Sequence, residues 1–349
     1  MKLQRLLFIL LISAAFLNAC SSGNTTGNET VIFQPKYATG FRVVKIGGDT
    51  LVQFLTHSDS HSVSLSVSLS SINPERIALL STTHTYFVNA LNGMKNVCGV
   101  TYADRIQLEN LQVQIANGKT RNLTQNGDVN MEDLLLLNPS VLFSVPFEST
   151  PYQSKLPQCT VIPTTEYLEE HPLGKAEWLY VFGYVLRKNE LAVELFAEIE
   201  REYLGAIQDA SQGSSKVFFA TNNGSDWTVA NNQSYWSTLF KDAGAEYVGA
   251  EEGKGNLNFD KERMLFALNE ADAYGELVYF PNTSNISLSQ LHSEFTQSSP
   301  FQHKKLFLSN AANNGFFDKA LLEPHILLQE LQKVLSDSTF SGNYFQRTQ

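Results

Sequence analysis

The sequence predicts an α/β protein: two lobes with central parallel sheets, joined by one long rigid α-helix and preceded by an N-terminal β-hairpin extension. Three observations carry that expectation. Short apolar runs alternate with stretches of helical period in both halves of the chain, the pattern of parallel strands covered by helices. Between the halves, residues 174–207 repeat apolar side chains at helical spacing with no proline. Finally, 349 residues with 43% hydrophobic and 17% charged content, including 23 Phe and 13 Tyr, supply apolar surface for two ordinary domains. That balance excludes a disordered chain.

Residues 1–19 read as a signal peptide. Lys2 and Arg5 precede an apolar run over residues 6–17, too short for a bilayer span, which needs about 20 residues. The run ends Leu17-Asn18-Ala19-Cys20, which resembles a bacterial lipobox, so Cys20 is expected to be lipidated and to become the first residue. An ordinary signal peptide with an incidental cysteine is the alternative. Residues 20–33 are expected to be a tether, because Ser, Gly, Asn and Thr over 21–30 cannot bury enough surface to order themselves. The mature protein is then a soluble body hung from a membrane by acyl chains.

Residues 37–56 predict a hairpin around the turn Gly47-Gly48-Asp49, and residues 61–71 alternate Ser with Val or Leu like a half-buried strand. Strands follow at 76–80, 97–102, 141–145 and 159–163, with helices at 81–91 and 133–138 between them. The hydroxyls of Ser81, Thr82 and Thr83 suit the start of the first helix. One helix over 174–207 would be about 45 to 50 Å long at 1.5 Å per residue, a strut between lobes. The alternation then restarts with a strand at 216–220, a loop at 222–227, and helices at 235–243 and 260–269. Strands at 277–280 and 306–308 and a terminal helix at 322–335 complete it. The expected division is an N-terminal lobe over 34–171, a linker over 172–211 and a C-terminal lobe over 212–349, each lobe Rossmann-like.

The formal charge of −10 argues against nucleic-acid binding, which needs a basic face. Cys98 and Cys159 each sit in an apolar strand-like run and are read as buried free thiols, a disulfide being the alternative that an oxidising compartment permits. Neither has metal-ligand spacing, and no metal site is expected. Adjacent acids Glu169-Glu170 and Glu251-Glu252 read as solvated loop residues rather than a catalytic pair. No Gly-x-Ser-x-Gly, P-loop or dinucleotide fingerprint occurs, and no nucleophile has an evident base.

Five stretches, in order, resemble the substrate-binding lipoproteins of ABC importers for iron–siderophore complexes, haem or cobalamin. They are Arg76-Ile77-Ala78-Leu79-Leu80-Ser81-Thr82-Thr83-His84, Val97-Cys98-Gly99-Val100, Gly127 to Leu134 with Leu137-Asn138-Pro139-Ser140-Val141-Leu142, Pro172 to Trp178, and Leu322 to Leu331. Two positions depart from the family's pattern: Ser140 and His325 stand where Asp is usual. The resemblance covers about residues 36–336. It implies a two-lobe binding protein without catalysis and without a resident cofactor, periplasmic or on the cell surface, monomeric, and handing its ligand to a permease.

The resemblance also implies that Glu132 and Glu262, one on each lobe, dock to arginines of the permease. Their residue type fits, since an exposed carboxylate per lobe steers encounter and fixes register; first-turn acids favoured by the helix dipole are the alternative. Ligand is expected on loops after the strands, between the lobes. The named candidates are His84, Tyr102, Arg105 and Phe147 from the first lobe and Trp227, Tyr235, Trp236 and Phe316 from the second. Aromatic faces would stack a large flat ligand, and Arg105 would pair with its oxygens. His84 is weighed as a haem-iron ligand against a polar cleft residue or a cap of the next helix. A ferric siderophore or haem is the leading ligand, with cobalamin next. An extracytoplasmic enzyme on the same scaffold and a purely adhesive lipoprotein are the readings from other classes.

Overall fold

In a computed structural model, residues 29–56, 59–146, 152–208, 215–283 and 285–348 are described. The signal peptide, Cys20, most of the tether and Phe147 lie outside them.

The extension is larger than a hairpin. Strands β1 (Thr30–Phe33), β2 (Phe41–Ile46), β3 (Asp49–Thr56) and β4 (Asp59–Ser68) form a four-stranded antiparallel sheet in that order. The β2–β3 turn is where the sequence put it. Ile46 faces Asp49, and Gly47 and Gly48 take φ of 63° and 119°, values that a two-residue hairpin turn needs and that glycine adopts without a Cβ clash.

The first lobe holds β5 (Ile77–Leu79), β6 (Val97–Val100), β7 (Arg121–Asn122), β10 (Val141–Ser144) and β11 (Thr160–Pro163) in the all-parallel order β11-β10-β5-β6-β7. A small hairpin, β8 (Thr124–Gln125) and β9 (Asp128–Val129), stands beside it. The second lobe's sheet runs β15-β13-β12-β16-β17-β18, with β14 also on β12. Its strands are β12 (Lys216–Asn222), β13 (Trp227–Ala230), β14 (Glu246–Val248), β15 (Asn256–Phe259), β16 (Ala273–Val278), β17 (Leu306–Asn310) and β18 (Gln346–Thr348). This sheet is mixed rather than parallel throughout: β13 is antiparallel to β12 and β15, and β18 to β17.

Nine helices among the described residues have six or more residues: α1 (Thr82–Ala90), α2 (Glu109–Ala116), α3 (Met131–Leu137), α4 (Pro172–Glu177), α5 (Leu179–Leu186), α6 (Asn189–Gln208), α7 (Tyr235–Asp242), α8 (Lys261–Asn269) and α9 (Pro324–Ser336). The expected single strut is three helices. The sharp break lies at Arg187, which takes a left-handed φ of 57°. The N–H of Lys188 bonds to the Gly183 carbonyl at 2.7 Å and that of Arg187 to Tyr184 at 3.3 Å, the paired bonds of a Schellman ending. The chain then turns back, and α6 packs along α5 so closely that a Cβ on Gly183 would lie 2.6 Å from Ala192 Cβ.

Among the described residues, α6 has packing partners at both of its ends. It packs on α4 and α5 at one end and on α9 at the other, where Tyr203 donates to Asp242 at 2.7 Å and Gln332 to the Ala206 carbonyl at 2.8 Å. Twenty residues give it about 30 Å. Strand alternation sets the core. Ile77, Leu79, Val217 and Phe219 face one apolar body shared by both lobes and α6, while Ala78, Leu80, Phe218 and Ala220 face separate outer clusters.

Candidate functional site

The loops at the ends of β11 and β12 and the helix starts after them bring both lobes to one concavity. It has a volume of about 710 Å³. The first lobe contributes Thr83, Tyr167, His171 and Lys175; the second contributes Tyr235, Trp236, Lys254 and Phe316. A second cavity of about 460 Å³ shares Phe317 with it and is bordered by Tyr102, Arg105, Tyr279 and Asp318.

The aromatic wall is held rigidly. Ser234 caps α7, its hydroxyl accepting from Ser237 N–H at 3.2 Å, which places Tyr235 and Trp236 in the first turn. Trp236 stacks on Phe316 at 5.6 Å between centroids and 9° between planes, and backs onto Phe219 at 4.2 Å. Phe316 follows Gly315, whose φ of 69° turns the chain there.

Opposite that wall, Lys175 Nζ donates to the Tyr167 carbonyl at 2.7 Å and lies 5.0 Å from the Tyr235 ring, a cation–π contact between lobes. Burial pulls the ammonium down to about 8, against Glu166 and Glu169, which favour the charge, so it remains mostly protonated at pH 7. Lys254 joins Glu170 at 2.8 Å across the cleft mouth.

In the smaller cavity Arg105 is the prominent cation. Its guanidinium lies 4.8 Å from the Tyr102 ring and 5.8 Å from the Tyr279 ring, one tyrosine from each lobe. No carboxylate comes within 4.0 Å of it among the described residues. Tyr102 holds φ at 51°, uncommon for a bulky residue, so the loop is fixed by its surroundings. Its N–H donates to Thr124 Oγ1 at 2.6 Å and its hydroxyl to the Gly127 carbonyl at 3.0 Å. Burial raises the Asp318 carboxyl at the cavity wall, opposed by a hydrogen bond from Thr82 and the charge of Arg105.

Two expected ligand residues are corrected. His84 is fully buried, between Phe143 and Phe182, with ring centroids 6.2 and 5.8 Å away. Its Nε2 meets Thr164 Oγ1 at 2.6 Å; because that hydroxyl donates to the Ser144 carbonyl, His84 is the donor. Burial drops its pKa to about 3. Its neighbour Thr83 faces the cavity, and one helical step turns the next side chain about 100° into the core. Trp227 is 5% exposed. It is the first residue of β13, packed on His292 and Phe295, and its indole N–H donates to buried Glu276 at 3.1 Å.

Tyr102 and Arg105 border the smaller cavity, and Tyr235, Trp236 and Phe316 the larger; Phe147 lies outside the described residues. Glu132 and Glu262 are exposed in the first turns of α3 and α8. Cys98 and Cys159 are buried free thiols, both raised by burial, Cys159 to about 12. Of the adjacent acids, Glu251 and Glu252 are exposed as expected, while the reading of Glu169-Glu170 is corrected. Glu169 is buried and accepts from Thr39, Gly40 and the Trp178 indole, while Glu170 pairs with Lys254.

Sequence reasoning overlooked Tyr167, His171, Lys175 and Lys254. A signal existed for the first three: the loop after the 159–163 strand obeys the same strand-end rule as the loops that were named. Among the described residues, no group of three or more His, Cys, Asp or Glu is placed to hold a metal ion. No described helix is long and apolar enough to cross a membrane.

Comparison with known proteins gives a consistent outcome. The family model described as periplasmic binding protein matches residues 77–271. An uncharacterised lipoprotein of Methanocaldococcus jannaschii is 22% identical over 280 residues, covering 76% of this chain; the match spans 66%, just under two thirds, of the relative. The solved structure of the siderophore-binding protein BauB, holding two acinetobactin molecules and ferric iron, is similar with a TM-score of 0.62 and 15% identity, over 78% of this chain and 95% of that one. A periplasmic haem-binding protein of Pseudomonas aeruginosa gives a TM-score of 0.58 and 14% identity, over 79% and 99%. At these identities the structural likeness speaks for the fold.

Proposed function

The chain belongs to the periplasmic binding protein family, and from that premise we propose that it is a substrate-binding lipoprotein of an ABC importer, holding a ferric siderophore or haem between its lobes and passing it to an inner-membrane permease. The observation that carries this reading is the pairing of an aromatic wall, Tyr235, Trp236 and Phe316, with cations Lys175 and Arg105 in adjoining cavities between the lobes. Aromatic faces take flat or ring-rich ligands, and the two cations suit carboxylate or catecholate oxygens. A burial of this kind needs no reacting group, and the protein is a carrier rather than an enzyme.

The position of His84 orders the ligands. Sealed in the core, it offers haem iron no axial nitrogen, and His171 at the larger cavity has its Nδ1 lone pair taken by the Leu173 N–H at 3.0 Å, which leaves its proton on Nε2. A siderophore brings its own oxygen donors to iron and needs only a shaped, charged pocket, so we place a ferric siderophore ahead of haem. Cobalamin follows, because it gives Arg105 and Lys175 less negative charge to meet.

On this reading residues 1–19 are removed, Cys20 carries the acyl anchor, residues 20–33 tether the body, and residues 34–171 and 212–349 are the lobes on either side of the 172–211 linker. The protein works as an extracytoplasmic monomer, and Glu132 and Glu262 meet cations on the permease. The test is an absorption titration of the purified body with a ferric catecholate siderophore, a ferric hydroxamate siderophore, haem and cyanocobalamin. Saturable one-to-one binding of a ferric siderophore, tightest in the set, is expected. Tightest binding of cobalamin would overturn the choice of ligand, and binding of none would overturn the function.

A further inference from the structure

The two most exposed large apolar side chains among the described residues are Phe266, at 73%, and Leu136, at 70%. They occupy equivalent places in the two lobes. Helix α3 leads into β10, which pairs with β5, the first strand of its sheet; α8 leads into β16, which pairs with β12, the first strand of the other. Each helix is capped alike. Asn130 accepts from Asp133 N–H at 3.1 Å, and Asp260 accepts from Arg263 N–H at 2.9 Å.

The match continues along both helices. The fourth residue, Leu134 or Met264, is fully buried. The third is occupied internally, Asp133 with Arg121 at 2.6 Å and Arg263 near Glu251 at 3.6 Å. The second, Glu132 or Glu262, is exposed and forms no ion pair among the described residues. The sixth is the exposed Leu136 or Phe266, four residues after the glutamate and therefore on the same helix face. Each lobe thus shows one unpaired carboxylate beside one uncovered apolar side chain, twice, at related positions.

We propose that Leu136 and Phe266 are the apolar half of a two-part docking element on each lobe, and that the partner is the importer's permease dimer, presenting at two related positions a cationic side chain beside an apolar notch. The inference rests on the permease reading above and adds a second kind of contact to it. Charge steers the encounter and sets register, while an apolar anchor seated next to it slows release. A second copy of this chain fits poorly, because matching faces would set glutamate against glutamate. An anionic lipid surface is opposed by the same two carboxylates.

The test measures binding of the body to its cognate importer, permease and ATPase subunits together, in nanodiscs at several salt concentrations. Three proteins are compared: wild type, Glu132→Gln/Glu262→Gln, and Leu136→Ser/Phe266→Ser. The substitutions lie on the surface, and thermal melting checks that both variants fold. The expected result is a loss of at least tenfold for each double variant. The glutamate variant should also flatten the salt dependence, while the apolar variant keeps it and releases faster.

Apolar-variant binding within twofold of wild type, with the glutamate variant weakened, overturns this inference and leaves the permease reading intact. Wild-type binding by both variants overturns both. Full loss from the apolar variant with none from the glutamate variant overturns the two-part element. Sedimentation showing a wild-type dimer that the apolar variant abolishes assigns these side chains to self-association instead and also overturns it.

Discussion

Lowering the pH from 7 to 5 should destabilise the protein through His84, and the size of the effect follows from its burial. Burial holds the folded-state pKa at about 3, against 6.5 for an exposed imidazole. As pH falls through 6.5 the unfolded chain takes up a proton that the folded chain refuses. The unfolded state then binds more protons, so stability present above pH 6.5 is lost on acidification. From pH 7 to 5 this one group removes about 2 kcal/mol, and by pH 3 about 4 kcal/mol. His84→Met keeps an apolar side chain of similar volume between Phe143 and Phe182 and removes the titration. Thr164 loses only a donor to its oxygen, since its own hydroxyl remains bonded to the Ser144 carbonyl. Glu166, 3.9 Å from the ring and itself raised by burial, is present in both proteins and largely cancels in the comparison. Urea unfolding of both at pH 7 and pH 5 is the assay. The variant should lose about 2 kcal/mol less than wild type over that interval. Parallel losses would mean that His84 titrates in solvent, and its removal from the ligand cleft would be refuted.

Arg105→Ala should weaken an anionic ferric siderophore by about 1.5 to 3 kcal/mol for each charge-assisted bond lost, read by fluorescence titration, and should leave cyanocobalamin nearly unchanged. Ligand binding should quench tryptophan emission through Trp236, so Trp236→Phe should remove most of the quench while Trp227, packed on His292 and Phe295, contributes little. Arg187→Gly should shift thermal stability by less than about 1 kcal/mol in melts, because relief of the left-handed Cβ penalty is offset by loss of the guanidinium hydrogen bond to the Ile72 carbonyl at 3.1 Å. Cys20→Ala should move the protein out of the membrane fraction or block its maturation, and unchanged fractionation would rule out the lipid anchor.

Legibility in the sequence varied with the range of the interaction that decides each feature. The strands 76–80 and 216–220 were plain because alternate residues of each face two apolar clusters, which makes the run continuously hydrophobic. The Gly47-Gly48 turn was plain because only glycine fits its dihedrals cheaply. Arg187 hid the linker break, since a Schellman ending without glycine leaves no mark in a pattern of apolar spacing. β13 was missed, and its first residue, Trp227, fell in the expected loop at 222–227. Asn223-Gly224-Ser225-Asp226 is the turn of a hairpin in which Asn222 pairs with Trp227, and four residues of strand carry little periodicity. In the cleft, aromatic residues after strands and at helix starts could be named, but not their direction. Thr83 and His84 are neighbours in sequence with opposite environments. Lys175 escaped notice because its role depends on meeting Tyr235 from the other lobe.

Hydrogen–deuterium exchange of the mature protein, with and without its tightest-binding ferric siderophore, tests most directly the claim that ligand is held between the lobes. The account predicts simultaneous protection of the 164–175 segment, which carries Tyr167 and Lys175, and of residues 233–236 and 315–321, which carry Trp236 and Phe316. Protection confined to one lobe, or to the N-terminal sheet, would contradict it.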